Sequence, residues 1–206
     1  MNFSESLKEL REKSKKRNFD QTLDLIINFK GFDPRRDTLN TSTILPHISK
    51  KKKICAFLEN PSKAVDYVIT KGDIEKITAD DLKKLTKEYD FFIASAKLMP
   101  VVATKFGKIL GIAGKMPDPK MGGVVMQESE AAIKESVHKL LQMVKIRAKE
   151  ASIKVPIGKE SMVNEELIEN ANAVLKAVIP ALPKKELNIK SVMFKFTMSK
   201  PIKVKK

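Results

Sequence analysis

Near the carboxyl end of the chain, residues 191 to 198 read SVMFKFTM, and on one parity they set Ser191, Met193, Lys195 and Thr197 in a row. Two hydroxyls and an ammonium at alternate positions of a strand share one face, and such groups suit phosphates, ribose 2′-hydroxyls or base edges in a structured RNA. The other parity, Val192, Phe194, Phe196 and Met198, is continuously apolar and reads as core. By itself the polar row is equally that of an ordinary solvated strand face.

The residue types that carry catalysis are sparse. His47 and His138 are the only histidines, and neither stands in a metal-ligand spacing. His138, within ESVHKLL, reads as a partly exposed helical residue, and His47 as a polar turn residue after Pro46. Cys55, the single cysteine, is flanked by apolar strand residues that bury a thiol and raise its pKa, so it reads as core. Asp80 with Asp81 and Glu165 with Glu166 fall at helix starts, where carboxylates complement the helix dipole. The loop GKILGIAGKMPDPKMGG matches neither dinucleotide nor P-loop spacing. Its GIAG matches the G-x-x-G clamp of KH domains, against a plain Gly-rich connector, and Lys108, Lys115 and Lys120 around it could meet phosphates.

Elements of two kinds must position these groups. Asn2 and Glu5 are set like a capping box before an amphipathic helix over residues 4 to 16. TLDLIINFK then alternates as a half-buried strand, and TSTILPH resumes extended structure until Pro46. The basic run Lys50 to Lys53 leads into ICAFL, a strand without alternation, as in a parallel sheet. From there strands and helices alternate: a helix from Pro61, the strand DYVI, helices over Asp73 to Glu88, the strand DFFIA, and helices from Lys97 to Phe106 and Glu128 to Leu141. MVKIRAKEASIKVPIG returns to strand pattern, followed by a long helix from Asn164 to Ile179 and a closing strand from Asn188 to Met198.

Neither outer piece can bury its apolar faces alone, which favours mutual burial around an insertion over a plain tandem. The expected fold is therefore mixed α/β and α+β in two domains. A split α+β domain takes residues 1–48 and 151–206, and an α/β domain takes 49–150.

The charge points the same way. Forty Lys and Arg against 25 Asp and Glu give a formal net charge of +15 in 206 residues, shared between the middle of the chain and its flanks. A polyanion is the natural partner of such a surplus. One cysteine implies a reducing compartment, and no stretch reads as a signal peptide or membrane span, so a soluble cytoplasmic protein is expected.

Four motifs in order, RNFDQTLDLIINFKGFDPRRD, LPH, ILGIAGKMPDPK and IKSVMFKFTMSKPIKV, resemble the ribosomal stalk protein L-one family of the large subunit, particularly its archaeal form, over nearly the whole chain. The resemblance implies that the inserted domain is Rossmann-like and that the split domain binds ribosomal RNA. It places RNA contacts at Phe19, Thr22, Ser191, Thr197 and Met198, with Phe19 also readable as a core staple. Lys16, Arg17, Lys195 and Lys200 complete the expected RNA-binding set, and Lys115, Lys120 and Lys159 form an expected secondary contact. Thr197, Met198, Ser199 and Lys200 stand where the family commonly reads T-M-G-P, so a glycine suited to close RNA approach has gained a side chain. Ile112 and Ala113 stand where relatives often have Pro-Arg.

The resemblance further implies a stalk constituent without catalysis, cofactor or metal, monomeric when free. Its expected partners are stalk ribosomal RNA, exit-site tRNA whose release it assists, and, in some members, its own mRNA, which it represses. Two rivals remain at this level: a nucleotide-binding α/β enzyme, which lacks a phosphate loop, and a peripheral membrane module, which lacks a helix combining a broad apolar face with a Lys-rich one.

Overall fold

In the computed structural model, which describes residues 2–34, 36–48 and 52–204, the alternating segment becomes strand β1 (Thr22–Phe29). Its residues Leu23, Leu25, Ile27 and Phe29 are buried while Thr22, Asp24 and Asn28 are half-buried, as period-two alternation requires. β1 is flanked by antiparallel partners from the distant carboxyl portion, β8 (Ser152–Lys159) and β9 (Ile189–Phe196). The short β10 (Ile202–Lys203) adds to β9, giving the order β10-β9-β1-β8.

One face of this sheet is covered by helices α1 (Phe3–Lys13) and α6 (Asn164–Ala181). α1 contributes Phe3, Leu7 and Leu10, with the Phe3 and Phe194 rings 5.5 Å apart, and α6 contributes Leu167, Ala171, Val174 and Val178. Phe194 and Phe196, both 0% exposed, stabilise the unit by about 1.5–3 kcal/mol apiece. Asn2 caps α1 by accepting the Glu5 N–H at 3.5 Å. The helix ends at Lys13, earlier than its sequence suggested, because Ser14 turns to extended backbone and its hydroxyl bonds the Arg11 carbonyl. Lys16 and Arg17 therefore lie on a loop.

A separate antiparallel ribbon pairs β2 (Asn40–Ile44) with β7 (Met143–Arg147). This pairing fixes where the chain re-enters its first unit. The split unit spans Met1–Lys50 and Gln142–Lys206, and the inserted unit Lys51–Leu141, so the return crossing comes at 142 rather than at 151. The strand pattern from Met143 onward already belongs to the split unit because β2 is its partner. Lys50 and Lys51 of the basic run lie outside the described residues.

The inserted unit carries a parallel sheet, β4-β3-β5-β6, from β3 (Ile54–Phe57), β4 (Tyr67–Ile69), β5 (Phe91–Ser95) and β6 (Val124–Val125). β3 is buried along its whole length, which accounts for its lack of alternation. Helices α2 (Lys71–Lys76), α3 (Ala79–Glu88), α4 (Met99–Ile112) and α5 (Glu130–Gln142) follow in sequence. The helix expected from Pro61 is absent: residues 58 to 66 are irregular, with bends at 59–60 and 65–66 and a turn at 63–64. Ser62 Oγ takes the Ala64 N–H, and Asp66 is drawn back onto β3, its carboxylate accepting the Ile54 N–H at 2.7 Å. The Ser62 hydroxyl thus holds a backbone N–H that a helix would have paired, and Asp66 ties the segment to β3 instead.

The G-x-x-G segment straddles the end of α4. Gly111 is helical, and Gly114 at φ +68° forms a Schellman close, with Gly114 N–H on the Gly111 carbonyl and Lys115 N–H on the Leu110 carbonyl. It is a helix terminator here, not a clamp between two helices. No helix among the described residues is long and apolar enough to cross a membrane.

Candidate nucleic-acid interface

The face of the split sheet opposite the two helices is formed by Thr22, Asp24, Ile26 and Asn28 of β1, Ser191, Met193 and Lys195 of β9, and Ser152, Lys154 and Pro156 of β8. Register sets Asp24 opposite Lys195, Ile26 opposite Met193 and Lys154, and Asn28 opposite Ser191. Asn28 Nδ2 donates to Ser191 Oγ at 3.0 Å. Burial pushes the Asp24 carboxyl above its ordinary range, and the Lys195 charge partly offsets this. The polar row read from β9 alone is thus already half-matched by its neighbour on β1.

The row also ends sooner than parity suggested. β9 stops at Phe196, and Thr197 lies in a turn, where its hydroxyl accepts the Thr22 N–H at 3.1 Å. Thr197 N–H in turn donates to the Thr22 carbonyl. The Thr197 hydroxyl therefore closes the β1–β9 ladder instead of extending the outward row. Ser199 folds its hydroxyl back to accept the Phe196 N–H at 2.9 Å.

At this end of the sheet three loops meet, and polar groups join them, with Gln21 buried among them. Gln21, 1% exposed, donates to Glu160 Oε2 at 3.1 Å and accepts the Met198 N–H at 3.2 Å. The Asp20 carboxylate accepts from the Ser161 N–H and hydroxyl at 3.1 and 2.8 Å. From α1, the Arg11 guanidinium donates to Asn164 Oδ1 and to the Glu160 and Met162 carbonyls at 2.9, 2.9 and 2.7 Å. Sequence reading missed this frame, although Gln21 carried a signal: it stands on the core parity of β1, where a polar side chain needs partners.

Lys159 reaches this end because β8 is bulged. Leu23 faces Gly158 and Asp24 faces Pro156, so Ile157 is an extra residue. Without it Lys159 would share the core parity of Ile153, Val155 and Ile157. With it Lys159 stands opposite Thr22, its Nζ 3.1 Å from Thr22 Oγ1 and 3.3 Å from the Asp20 carbonyl. The Ile157 carbonyl is taken by Asn170 Nδ2 at 2.7 Å, and a Cβ on Gly158 would overlap the Leu167 side chain. Lys159, grouped by sequence with Lys115 and Lys120, is therefore a neighbour of Thr22.

Besides Asp20 and Ser161, the exposed side chains around this frame include apolar and cationic ones. Phe19 is 52% and Met198 60% exposed, which removes the core-staple reading of Phe19 and the core reading of Met198, which lies beyond the end of β9. Of the ten phenylalanines it alone is exposed. Lys16, Arg17 and Lys200 are exposed as well.

The other two expected cations belong to the inserted unit. Lys115 gives its ammonium to the Thr86 and Tyr89 carbonyls, both at 2.7 Å, at the end of α3, so its position is that of a helix cap. Lys120 is exposed on the short 3-10 turn Pro119–Met121. Ile112 is 89% exposed.

The remaining chemical candidates have structural surroundings. Burial pushes the Cys55 thiol up to about 12. His138 is exposed on α5. His47 does more than its sequence suggested: its Nε2 lies 2.8 Å from Glu169 and its Nδ1 3.8 Å from Glu166, and its backbone N–H donates to the buried Asn170 at 3.0 Å.

Residues 10–200 match the model of the ribosomal protein L1p/L10e family. The large ribosomal subunit protein uL1 of Nanoarchaeum equitans is 36% identical over 209 residues, which cover 97% of this chain and 98% of that protein. The proteins of the same description from Thermococcus kodakarensis and Methanocaldococcus jannaschii are 36% and 34% identical, covering 98% of this chain and 96% and 94% of their own lengths. With its two-unit α+β architecture and a match along nearly its whole length, the chain belongs to the ribosomal protein L1p/L10e family.

Proposed function

We propose that the protein is a constituent of the large ribosomal subunit in the cytoplasm, and that it holds ribosomal RNA of the mobile stalk with the end of the split unit's sheet where Phe19, Thr22, Lys159 and Met198 gather. The observation that carries this reading is the exposed Phe19. A folded chain that buries or half-buries its other phenylalanines leaves this one exposed, as it leaves Met198 and the cations Lys16, Arg17 and Lys200. Unstacked RNA bases pack on such aromatic and apolar groups, while the ammonium and guanidinium groups neutralise phosphates.

In this reading the hydrogen-bonded frame of Arg11, Asp20, Gln21 and Glu160 fixes the shape of the loops before RNA arrives, which limits the ordering cost of binding. Ser191 and Lys195 extend the contact along the strand face, and Lys120 supplies a weaker contact from the inserted unit. Lys115, engaged at the end of α3, contributes through fold. The same face would bind a similar structure in the protein's own mRNA and so repress translation, and the stalk assignment carries with it assistance in releasing deacylated tRNA from the exit site. The free protein is taken as a monomer with no catalysis of its own.

The test is equilibrium binding to a stalk ribosomal RNA fragment and to an unrelated folded RNA of equal length, across a salt series. Preference by ~10³ or more that survives moderate salt is expected. Phe19→Ala should weaken only the specific complex, by ~1–3 kcal/mol, and Lys200→Ala should lower the salt slope by about one. Equal, steeply salt-dependent binding to both RNAs would overturn the reading.

A further inference from the structure

In the inserted unit a carboxylate of the chain itself sits on two successive backbone amides. The unit's sheet order, β4-β3-β5-β6, reverses between β3 and β5, since the chain first adds β4 on one side of β3 and then β5 on the other. In open parallel sheets such a reversal leaves a crevice beyond the carboxyl ends of the two strands, where outward-pointing backbone N–H groups receive ligands. Here those ends are Phe57 and Ser95.

The group seated at the crevice is the carboxylate of Glu128, from the connection between β6 and α5. It accepts the Glu59 N–H through both oxygens, at 3.0 and 3.1 Å, and the Asn60 N–H at 3.3 Å. The hydroxyl of Ser95, a side chain only 1% exposed, bonds to the same carboxylate, and the nearby Lys97 charge favours it. Two successive backbone amides, a buried hydroxyl and an ammonium are a donor set for an oxyanion with several acceptor oxygens, and a carboxylate uses only part of its capacity. One group opposes: the Glu59 carboxylate lies 3.1 Å from Lys97 and takes part of its charge.

Little else holds Glu128 in place. Its neighbours Met126, Gln127 and Ser129 are exposed, and Ser129 caps the start of α5 by accepting the Ala132 N–H at 3.2 Å. Glu128 itself is only half-buried and is not part of the buried core formed by Phe57, Phe92, Ala94 and Phe106.

We infer that the crevice beyond β3 and β5 is a phosphate site closed by the protein's own Glu128, and that it takes a phosphate monoester, free or at the end of a nucleic acid, when Glu128 is displaced. This site is distinct from the RNA face of the split unit and does not depend on that assignment. It also gives the inserted unit's missing Gly-rich loop a physical counterpart: the amides are presented by the turn after β3, and an internal anion satisfies them.

The experiment is a titration of the full chain followed by the backbone amide resonances of Glu59 and Asn60, at constant ionic strength. Wild type, Glu128→Ala and the isosteric Glu128→Gln are each titrated with inorganic phosphate, with a nucleoside monophosphate, and with one oligonucleotide in 5′-phosphorylated and unphosphorylated forms. Saturable shifts at millimolar phosphate are expected in both variants, with apparent affinity at least ~10-fold above wild type. A response to inorganic phosphate and the mononucleotide alone assigns a small free phosphate, and an added response to the phosphorylated oligonucleotide assigns a nucleic-acid end. The inference is overturned if neither variant responds, if wild type and variants respond alike, or if sodium chloride produces the same shifts. Glu128→Gln keeps the shape of the loop, so misfolding of Glu128→Ala would not remove the test.

Discussion

Replacing Asn170 by leucine tests the link between the β8 bulge and the interface. The Asn170 side chain, 0% exposed, accepts the His47 N–H and donates to the His47 and Ile157 carbonyls, at 3.0, 3.0 and 2.7 Å. Leucine has nearly the same volume, so no cavity term enters. Ile157 is 0% exposed, and its carbonyl would be left as a buried acceptor without a donor, a loss of about 1–3 kcal/mol. The His47 backbone groups are half-buried and can turn to water, adding only about 0.5–1 kcal/mol. The sum is a destabilisation of about 1.5–4 kcal/mol confined to the split unit. Urea unfolding, followed by amide exchange in β1 and β8 and separately in β3 and β5, would read it. The midpoint of the split unit should fall with its slope unchanged, and the amides of Gly158 and Lys159 should exchange faster. A loss below about 1 kcal/mol, or an equal shift in the inserted unit, would refute the idea that Asn170 holds the bulge that aims Lys159.

Three further outcomes are expected. Gly158→Ala should lower stability by about 1–3 kcal/mol in thermal melts, because the new Cβ would overlap Leu167, itself 0% exposed and unable to retreat freely. Thr197→Val should lower the stability of the split unit by about 0.5–1.5 kcal/mol, since it removes the acceptor of the Thr22 N–H. Thr197→Ser, which keeps that acceptor, should retain both stability and RNA affinity, and loss of affinity in Thr197→Ser alone would contradict this role. The Glu128 carboxyl sits below its ordinary 4.5, with burial opposing and the Glu59, Ser95 and Asn60 donors and Lys97 favouring ionisation. A depressed folded-state pKa stabilises above the unfolded value and loses that contribution as pH falls through the folded one. The inserted unit should therefore weaken on acidification below 4.5, and less so in Glu128→Gln, as read by pH-dependent urea midpoints.

Local pattern was enough to reveal most strands and helices, because burial on one face writes its period directly into the residues. β1 and β9 alternated and folded as half-buried strands, and the unalternating ICAFL became a strand covered on both sides. The helix expected from Pro61 failed for a reason that local pattern does not contain: Asp66 bonds to the backbone of a strand twelve residues away. Two-residue strands such as β6 and β10 are too short to carry a period at all.

The candidate interface divides along the same line. Sequence alone determined which residue types stood near the ends of β1 and β9, the basic surplus, and the family through its ordered motifs. Only the tertiary structure decided what each side chain was free to do. Thr197 is bound to Thr22 across the sheet, Lys115 is bound to the end of α3, Lys159 is swung to Thr22 by an unpaired Ile157, and Phe19 is left in solvent. The reason is the range of the interactions: hydrophobic periodicity is a property of neighbours along the chain. Whether a hydroxyl, ammonium or carboxylate is available for a ligand depends on partners brought to within hydrogen-bond distance from elsewhere in the sequence.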